Sequence, residues 1–107
     1  MDLTGQSIVA NHTKFNTVGG LKVKKTLEGH LIFGDKGFEF KKGIGEILQV
    51  LYDDVLINYS DIKEIKPIDY GPFHTIMIVI TKDNKEYRFS SYRRGDIIEF
   101  LKEKMEG

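Results

Sequence analysis

Hydrophobic and polar residues alternate along much of this chain, which is the pattern of β-strands that bury one face. Four separate segments carry this alternation or a short apolar run, and turn-forming residues lie between them. The segments are residues 29–33, 37–40, 55–62 and 75–80, the last leading through a turn to 87–89. Their order predicts a small antiparallel β-sheet.

Two β-hairpins are predicted from the turns between these segments. Gly34-Asp35-Lys36-Gly37 joins one pair of apolar segments, and Lys82-Asp83-Asn84-Lys85 joins another. Both tetrapeptides consist of residues that favour chain reversal. Each hairpin therefore presents an apolar face that must pack against something.

The end of the chain has the spacing of an amphipathic helix. Apolar residues recur three and four positions apart at Ile97, Phe100, Leu101 and Met105. Ser91 precedes them and can cap the first turn. We expect this helix to lie over the apolar face of the sheet.

The remaining strands are harder to assign. Residues 1–20 are polar and uneven, which predicts either a flexible lead-in or an irregular first strand before a domain of residues 21–107. Leu21 to Leu27 alternates with lysines, the pattern of an edge strand. Pro67 and Pro72 predict a loop that crosses from one sheet to another.

A short apolar stretch between residues 44 and 52 fits two structures. Its spacing of zero, three, four and seven is that of a helical face, carried by Ile44, Ile47, Leu48 and Leu51. Leu48, Val50 and Tyr52 alternate nearly as well as a strand would. Both interpretations stay open from the sequence.

Composition narrows the function classes. The chain has 107 residues, which suits one domain, and 16 basic residues balance 16 acidic ones, which argues against bulk nucleic-acid binding. It contains no cysteine, so disulfides and thiolate chemistry are excluded. We expect a cytoplasmic protein, since neither a secretory signal nor a membrane-spanning run is visible.

Three segments together resemble the GRAM and bacterial pleckstrin-homology-like (PH-like) families. Residues 27–40 are similar to the opening hairpin of those families, with a strand that starts at Gly29 and a second strand that ends at Phe40. Residues 57–65 resemble the third strand and its closing Asp-Ile, and residues 76–89 resemble the last hairpin before a terminal helix. The resemblance implies a mainly β fold, with two nearly orthogonal antiparallel sheets of about seven strands, capped by a C-terminal helix.

The resemblance also directs attention to basic residues. Some members of the pleckstrin-homology group hold inositol phosphates with basic side chains of the first hairpin, so a lipid or phosphate site would use Lys22, Lys24, Lys25, Lys41 and Lys42. The competing interpretation is that these lysines protect strand edges from aggregation. Arg93 and Arg94 either bind phosphate or form ion pairs within the fold.

Candidate residues for contact with a partner are apolar and aromatic. They are Ile44, Ile47, Leu48, Leu51, Tyr70 and Phe73. A loop that carries aromatic side chains on a rigid scaffold can concentrate binding energy. If the apolar stretch of residues 44–52 is exposed, it favours a protein partner. If it is buried, the lysines become the better indication of function.

No residue pattern indicates catalysis, a metal or a cofactor. His12, His30 and His74 lie far apart without a partner at metal-ligand spacing, and the aspartates stand where turns are expected. We therefore predict a non-enzymatic interaction module that mediates protein contact or self-association. The alternative is a peripheral membrane adaptor that binds anionic lipid through its lysines, and a small hydrolase is disfavoured.

Overall fold

The described chain forms seven β-strands, in which inward and outward side chains alternate, and one C-terminal α-helix, whose apolar residues recur at helical spacing. The computed structural model describes residues 1–43 and 54–106, apart from the side chains of Asn16, Val18 and Tyr70. The elements are β1 (Ser7–Val18), β2 (Leu21–Phe33), β3 (Gly37–Lys42), β4 (Val55–Asn58), β5 (Ile62–Tyr70), β6 (Phe73–Thr81), β7 (Glu86–Ser90) and α1 (Arg94–Glu106). A 3-10 turn, Tyr59–Asp61, joins β4 to β5.

The strands form one curled antiparallel sheet in the order β4-β3-β2-β1-β7-β6-β5. Strands β1 to β4 are one meander and β5 to β7 are another. The two meanders are joined where Asn11–Thr13 of β1 pairs with β7. The expectation of two orthogonal sheets is therefore wrong, because this pairing makes the hydrogen-bonded ladder continuous. The mainly β class, with seven antiparallel strands and a C-terminal helix, is confirmed.

The hydrophobic core lies between the concave face of the sheet and α1. Large aromatic side chains dominate it, and the Phe100 ring of the helix packs edge-on against Phe33 at 5.4 Å and Tyr59 at 5.8 Å between ring centroids. Ile97 and Leu101 are also fully buried, and Met105 packs at the margin. The predicted apolar stripe of the helix is confirmed.

The helix begins close to its predicted cap. The Ser91 hydroxyl accepts a hydrogen bond from the Arg93 amide at 3.2 Å and donates one to the Val9 carbonyl at 3.1 Å. Ser91 therefore both caps the first turn and anchors it to β1.

The two predicted hairpins are present, since the turns at residues 34–36 and 82–85 connect β2 to β3 and β6 to β7. In the second turn, Asn84 takes the left-handed conformation with φ 65°. The region of the two prolines differs from the prediction of a loop. Pro67 lies within β5, which is an edge strand and therefore tolerates a residue without an amide hydrogen. The chain reverses only at Gly71-Pro72, where Gly71 has φ 54°.

Of the two interpretations of residues 1–20, the structure shows the strand and not the flexible lead-in. Ser7–Val18 is a strand of twelve residues, and it is regular rather than irregular, because it pairs with β2 along its whole length. Ile8, Ala10 and His12 point into the core, and Val9 and Asn11 between them face outward. A small residue and a histidine among the inward positions conceal the alternation in the sequence. Leu21–Leu27 pairs with β1 on one side, whereas β3 pairs with β2 only from Gly29 onward. Among the described residues its other side is therefore open, as the predicted edge strand requires.

The apolar stretch of residues 44–52 lies outside the described residues, so both interpretations of it stand. Within residues 1–43 and 54–106, no helix is long and apolar enough to cross a membrane.

Candidate functional site

Strands β1 and β2 extend beyond the rest of the sheet as a two-stranded ribbon. Strand β7 pairs with β1 only at Asn11–Thr13, and β3 pairs with β2 only from Gly29 to Phe33. Within the described residues, the strands of residues 14–26 therefore pair only with each other. We call residues 14–26 the ribbon. Gly19 and Gly20 close it with φ of 58° and 82°, a conformation that glycine adopts without strain.

The ribbon concentrates positive charge in a chain whose net charge is zero. Four lysines and no acidic residue lie within it, namely Lys14, Lys22, Lys24 and Lys25. Leu21 is 73% exposed beside them, and Phe15 and Val23 are also exposed. The ribbon is therefore a basic arm with apolar side chains, which brings together three of the five lysines identified from the sequence.

The other two lysines lie apart from the ribbon. Lys41 faces His30 across the ladder and lies 3.7 Å from the carboxylate of Glu39, and Lys42 is half-buried opposite Gly29. They belong to the part of β3 that the sheet supports.

Arg93 and Arg94 are both engaged within the chain. Arg93 pairs with Asp96 at 3.3 Å, as a salt bridge across one helical turn. Arg94 is more enclosed, and its Nη1 donates to the Asp69 carboxylate at 2.7 Å and to the carbonyls of Ile68 and Ile76. Arg94 therefore holds the start of α1 to the β5–β6 hairpin.

Asp69 also accepts a hydrogen bond from His74 at 3.0 Å. Hydrogen bonds from Arg94 and His74 hold the pKa of the Asp69 carboxyl below its usual value. The side chains of Asp69 and His74 are both exposed, and they belong to the β5–β6 hairpin that Arg94 contacts. The hydrogen bond between them joins β5 to β6 within that hairpin, which indicates a structural role.

An apolar groove opens where β7 ends and the chain turns toward the helix. Its exposed walls include Val9, Phe73 and Tyr92, of which Tyr92 is 98% exposed, and its volume is about 430 Å³. Phe73, one of the residues predicted to contact a partner, is 65% exposed. Val9 was not among the residues predicted to contact a partner, because the regular alternation of β1 is not visible in the sequence.

The other predicted contact residues cannot be placed beside Phe73. Ile44, Ile47, Leu48 and Leu51 lie outside the described residues, as does the side chain of Tyr70. Phe73 is therefore the one predicted contact residue whose side chain the structure describes.

His12 is a buried titratable residue on the inner face of β1. Its ring lies 4.9 Å from that of Phe89 and 5.4 Å from that of Phe40, between centroids. Burial lowers the pKa of His12 from 6.5 to about 4, so the imidazole is neutral at physiological pH. Beyond it, a cavity of about 780 Å³ opens between the ribbon, β4 and β7, with Lys22, Lys85 and Arg88 on its walls.

Tyr59 occupies the opposite end of the sheet. Its hydroxyl donates to the Gly34 carbonyl at 2.8 Å, and burial raises its pKa to about 12. The ammonium of Lys104 lies over its ring at 5.9 Å from the centroid. The phenol therefore remains protonated and fixes the β2–β3 turn. In the part of the chain that the structure describes, no cluster of histidine and carboxylate side chains could hold a metal ion.

No protein-family model matches this chain, and no curated protein matches it. The fold is shared with a solved structure. A crystal structure of the C-terminal domain of an unknown protein from Leishmania infantum superimposes with a TM-score of 0.64 at 16% sequence identity, over 92% of this chain and 82% of that one. At this identity the likeness concerns the fold alone.

Proposed function

We propose that this chain is a non-enzymatic interaction module of the GRAM and PH-like kind, and that it binds a protein. One observation carries the proposal: three large apolar side chains, Val9, Phe73 and Tyr92, line one groove and are exposed to water by 65% to 98%. Contact with a protein removes such side chains from water, and patches of this kind mark interaction sites.

The kinship with the GRAM and PH-like families rests on two supports. The first is the sequence motifs of residues 27–40, 57–65 and 76–89. The second is the number and order of elements, seven antiparallel strands followed by one C-terminal helix, which is what the resemblance implies.

Site-specific photocrosslinking tests the proposed protein contact. A photoreactive residue replaces Tyr92 beside the groove, and a control places it at exposed Lys102 on the helix. We expect one discrete adduct from the first position, whose partner, once purified, binds the chain and loses that binding in Phe73→Ser. Adducts of equal intensity at both positions, or a purified partner that binds Phe73→Ser equally well, would contradict the proposal.

A second candidate function, a peripheral membrane adaptor, is favoured by the ribbon. Its lysines and exposed Leu21 are what an anionic lipid surface would attract. Flotation with neutral, anionic and phosphoinositide vesicles compares the wild type with a charge-reversal variant of the ribbon, in which Lys14, Lys22, Lys24 and Lys25 are all changed to Glu. The matched control carries the same change at Lys36, Lys63, Lys66 and Lys82. Binding at physiological salt that only the first variant loses would make lipid the partner.

A further inference from the structure

Strand β6 carries apolar side chains on both faces of the sheet. Met77 and Val79 are fully buried beneath it. Ile76, Ile78 and Ile80 alternate with them and so project from the outer, convex face, where they are half-buried. A strand with water on one side alternates apolar and polar residues, whereas a continuous apolar run is typical of a strand covered on both sides. We call Ile76, Ile78 and Ile80 the isoleucine column.

Two rows of opposite charge cross this column. Lys66 of β5 and Arg88 of β7 both pair with Ile78 in the ladder, and they form the positive row. Glu64 of β5 and Glu86 of β7 both pair with Ile80, and they form the negative row. Each row is two residues from the other along its strands, a distance of about 7 Å.

We propose that the outer face of β5–β7 binds a second copy of this chain as an isologous, antiparallel dimer. The inference goes beyond the proposed contact at the groove, because it concerns another face of the sheet and a second copy of this chain. A two-fold axis parallel to the rows and midway between them carries the positive row onto the negative row. Lys66 then faces Glu64 of the second copy, and Arg88 faces Glu86. Ile78 meets Ile80 between them.

The same charges reject the other face-to-face arrangement. A two-fold axis parallel to the strands would place Lys66 against Arg88 and Glu64 against Glu86. Like charges brought together at an interface cost several kcal/mol and suppress that mode of binding. Within one chain the Lys66 ammonium lies 3.9 Å from the Glu64 carboxylate. Between two copies, the two rows favour one orientation and one register over the other face-to-face arrangement.

The area of the outer face limits the affinity of the dimer. From the spacing between strands and between residues along a strand, β5, β6 and β7 together present an outer surface of roughly 400 Å² per protomer. Stable complexes bury about 800 Å² per partner. We therefore expect a weak dimer that forms reversibly as the concentration rises.

Paired charge reversal tests both the face and its register. One variant carries Glu64→Lys with Glu86→Lys, so that both rows are positive, and the other carries Lys66→Glu with Arg88→Glu, so that both are negative. We expect each variant alone to be monomeric in sedimentation velocity up to about 1 mM, where the wild type dimerises. We expect an equimolar mixture of the two to form heterodimers at least as tightly as the wild type forms homodimers.

Matched controls change the same charges elsewhere on exposed positions. They are Lys36→Glu with Lys102→Glu, and Glu103→Lys with Glu106→Lys, and we expect both to dimerise like the wild type. Arg88 is half-buried, and its guanidinium lies 5.2 Å from the Phe15 ring centroid. If its replacement unfolds the chain, Lys66→Glu and Glu64→Lys carry the same mixing test on β5 alone, where both side chains are about half exposed.

Each outcome decides a different point. A wild type that stays monomeric at the highest concentration overturns the dimer, while the crosslinking experiment still decides whether another protein is bound. A dimer that both variants retain overturns this face but leaves self-association standing. Monomeric variants that fail to associate when mixed overturn the register.

Discussion

Acid should destabilise this fold through His12. Its imidazole lies on the inner face of β1 against the rings of Phe40 and Phe89, and burial lowers its pKa from 6.5 to about 4. An unfolded chain takes up the proton near pH 6.5, whereas the folded chain takes it up only near pH 4. The unfolded state therefore gains protons first as the pH falls, and the free energy of unfolding decreases between these two values.

The size of the effect follows from the pKa difference. The loss is complete below the folded pKa and absent above the unfolded one, and at pH 4 it reaches about 3 kcal/mol. This is a large fraction of the stability of a domain of this size.

Urea unfolding followed by far-ultraviolet circular dichroism measures it at pH 7.5 and pH 4. His12→Leu is the comparison, because leucine keeps an apolar side chain at the site and cannot be protonated. Asp2, Asp69 and Asp83 also have lowered pKa values, so both proteins should lose some stability in acid. We expect the wild type to lose about 3 kcal/mol more than the variant. Equal losses in the two proteins would refute the reasoning.

Four further substitutions test the packing. Leu101→Asp should lower the free energy of unfolding by about 3 kcal/mol or more, because it places a carboxylate in the core. A melting temperature equal to the wild type's would show that α1 does not pack over the sheet at Leu101. Arg94→Gln should cost about 2 kcal/mol in urea unfolding and Arg93→Gln less than about 1 kcal/mol, because Arg94 is largely buried and Arg93 is not. Gly29→Ala should destabilise by about 2 kcal/mol in thermal unfolding, since its Cβ would collide with the Lys41 carbonyl across the ladder; stability equal to the wild type's would show that β3 can move away.

The parts of the fold that could be predicted are those where local chemistry and burial agree. Phe38 and Phe40 alternate with polar residues, and glycine and aspartate mark the turn before them, so their hairpin can be read from the sequence. The helix is equally clear, because Ile97, Phe100 and Leu101 repeat at helical spacing and all three are buried. In such segments the periodicity alone decides the structure.

The regularity of β1 and the continuation of β5 through Pro67 could not be predicted, for a different reason. Ala10 and His12 occupy inward positions of β1, but neither residue type indicates from the sequence alone that its side chain is buried. Pro67 is ordinarily a strand breaker, and only the position of β5 at the edge of the sheet makes it acceptable. Both cases depend on neighbours that are distant in the chain.

The candidate surfaces depend even more on those distant neighbours. The lysines of residues 22–25 are visible in the sequence, but the pairings that leave the ribbon projecting from the sheet are not. Likewise, Lys66 and Arg88 are 22 positions apart in the chain and share a row only because both pair with Ile78. Charge patterns across strands follow from register, which periodicity does not determine.

The pairing of β1 with β7 has a consequence for how the protein is made. A ribosome produces the β1–β4 meander first, with its apolar inner face complete but nothing to cover it. The strand that continues the sheet, β7, and the helix that closes the core, α1, follow the other strands along the chain. The inner face of the nascent meander therefore stays uncovered until both have been synthesised, and such long-range closure slows folding and favours aggregation.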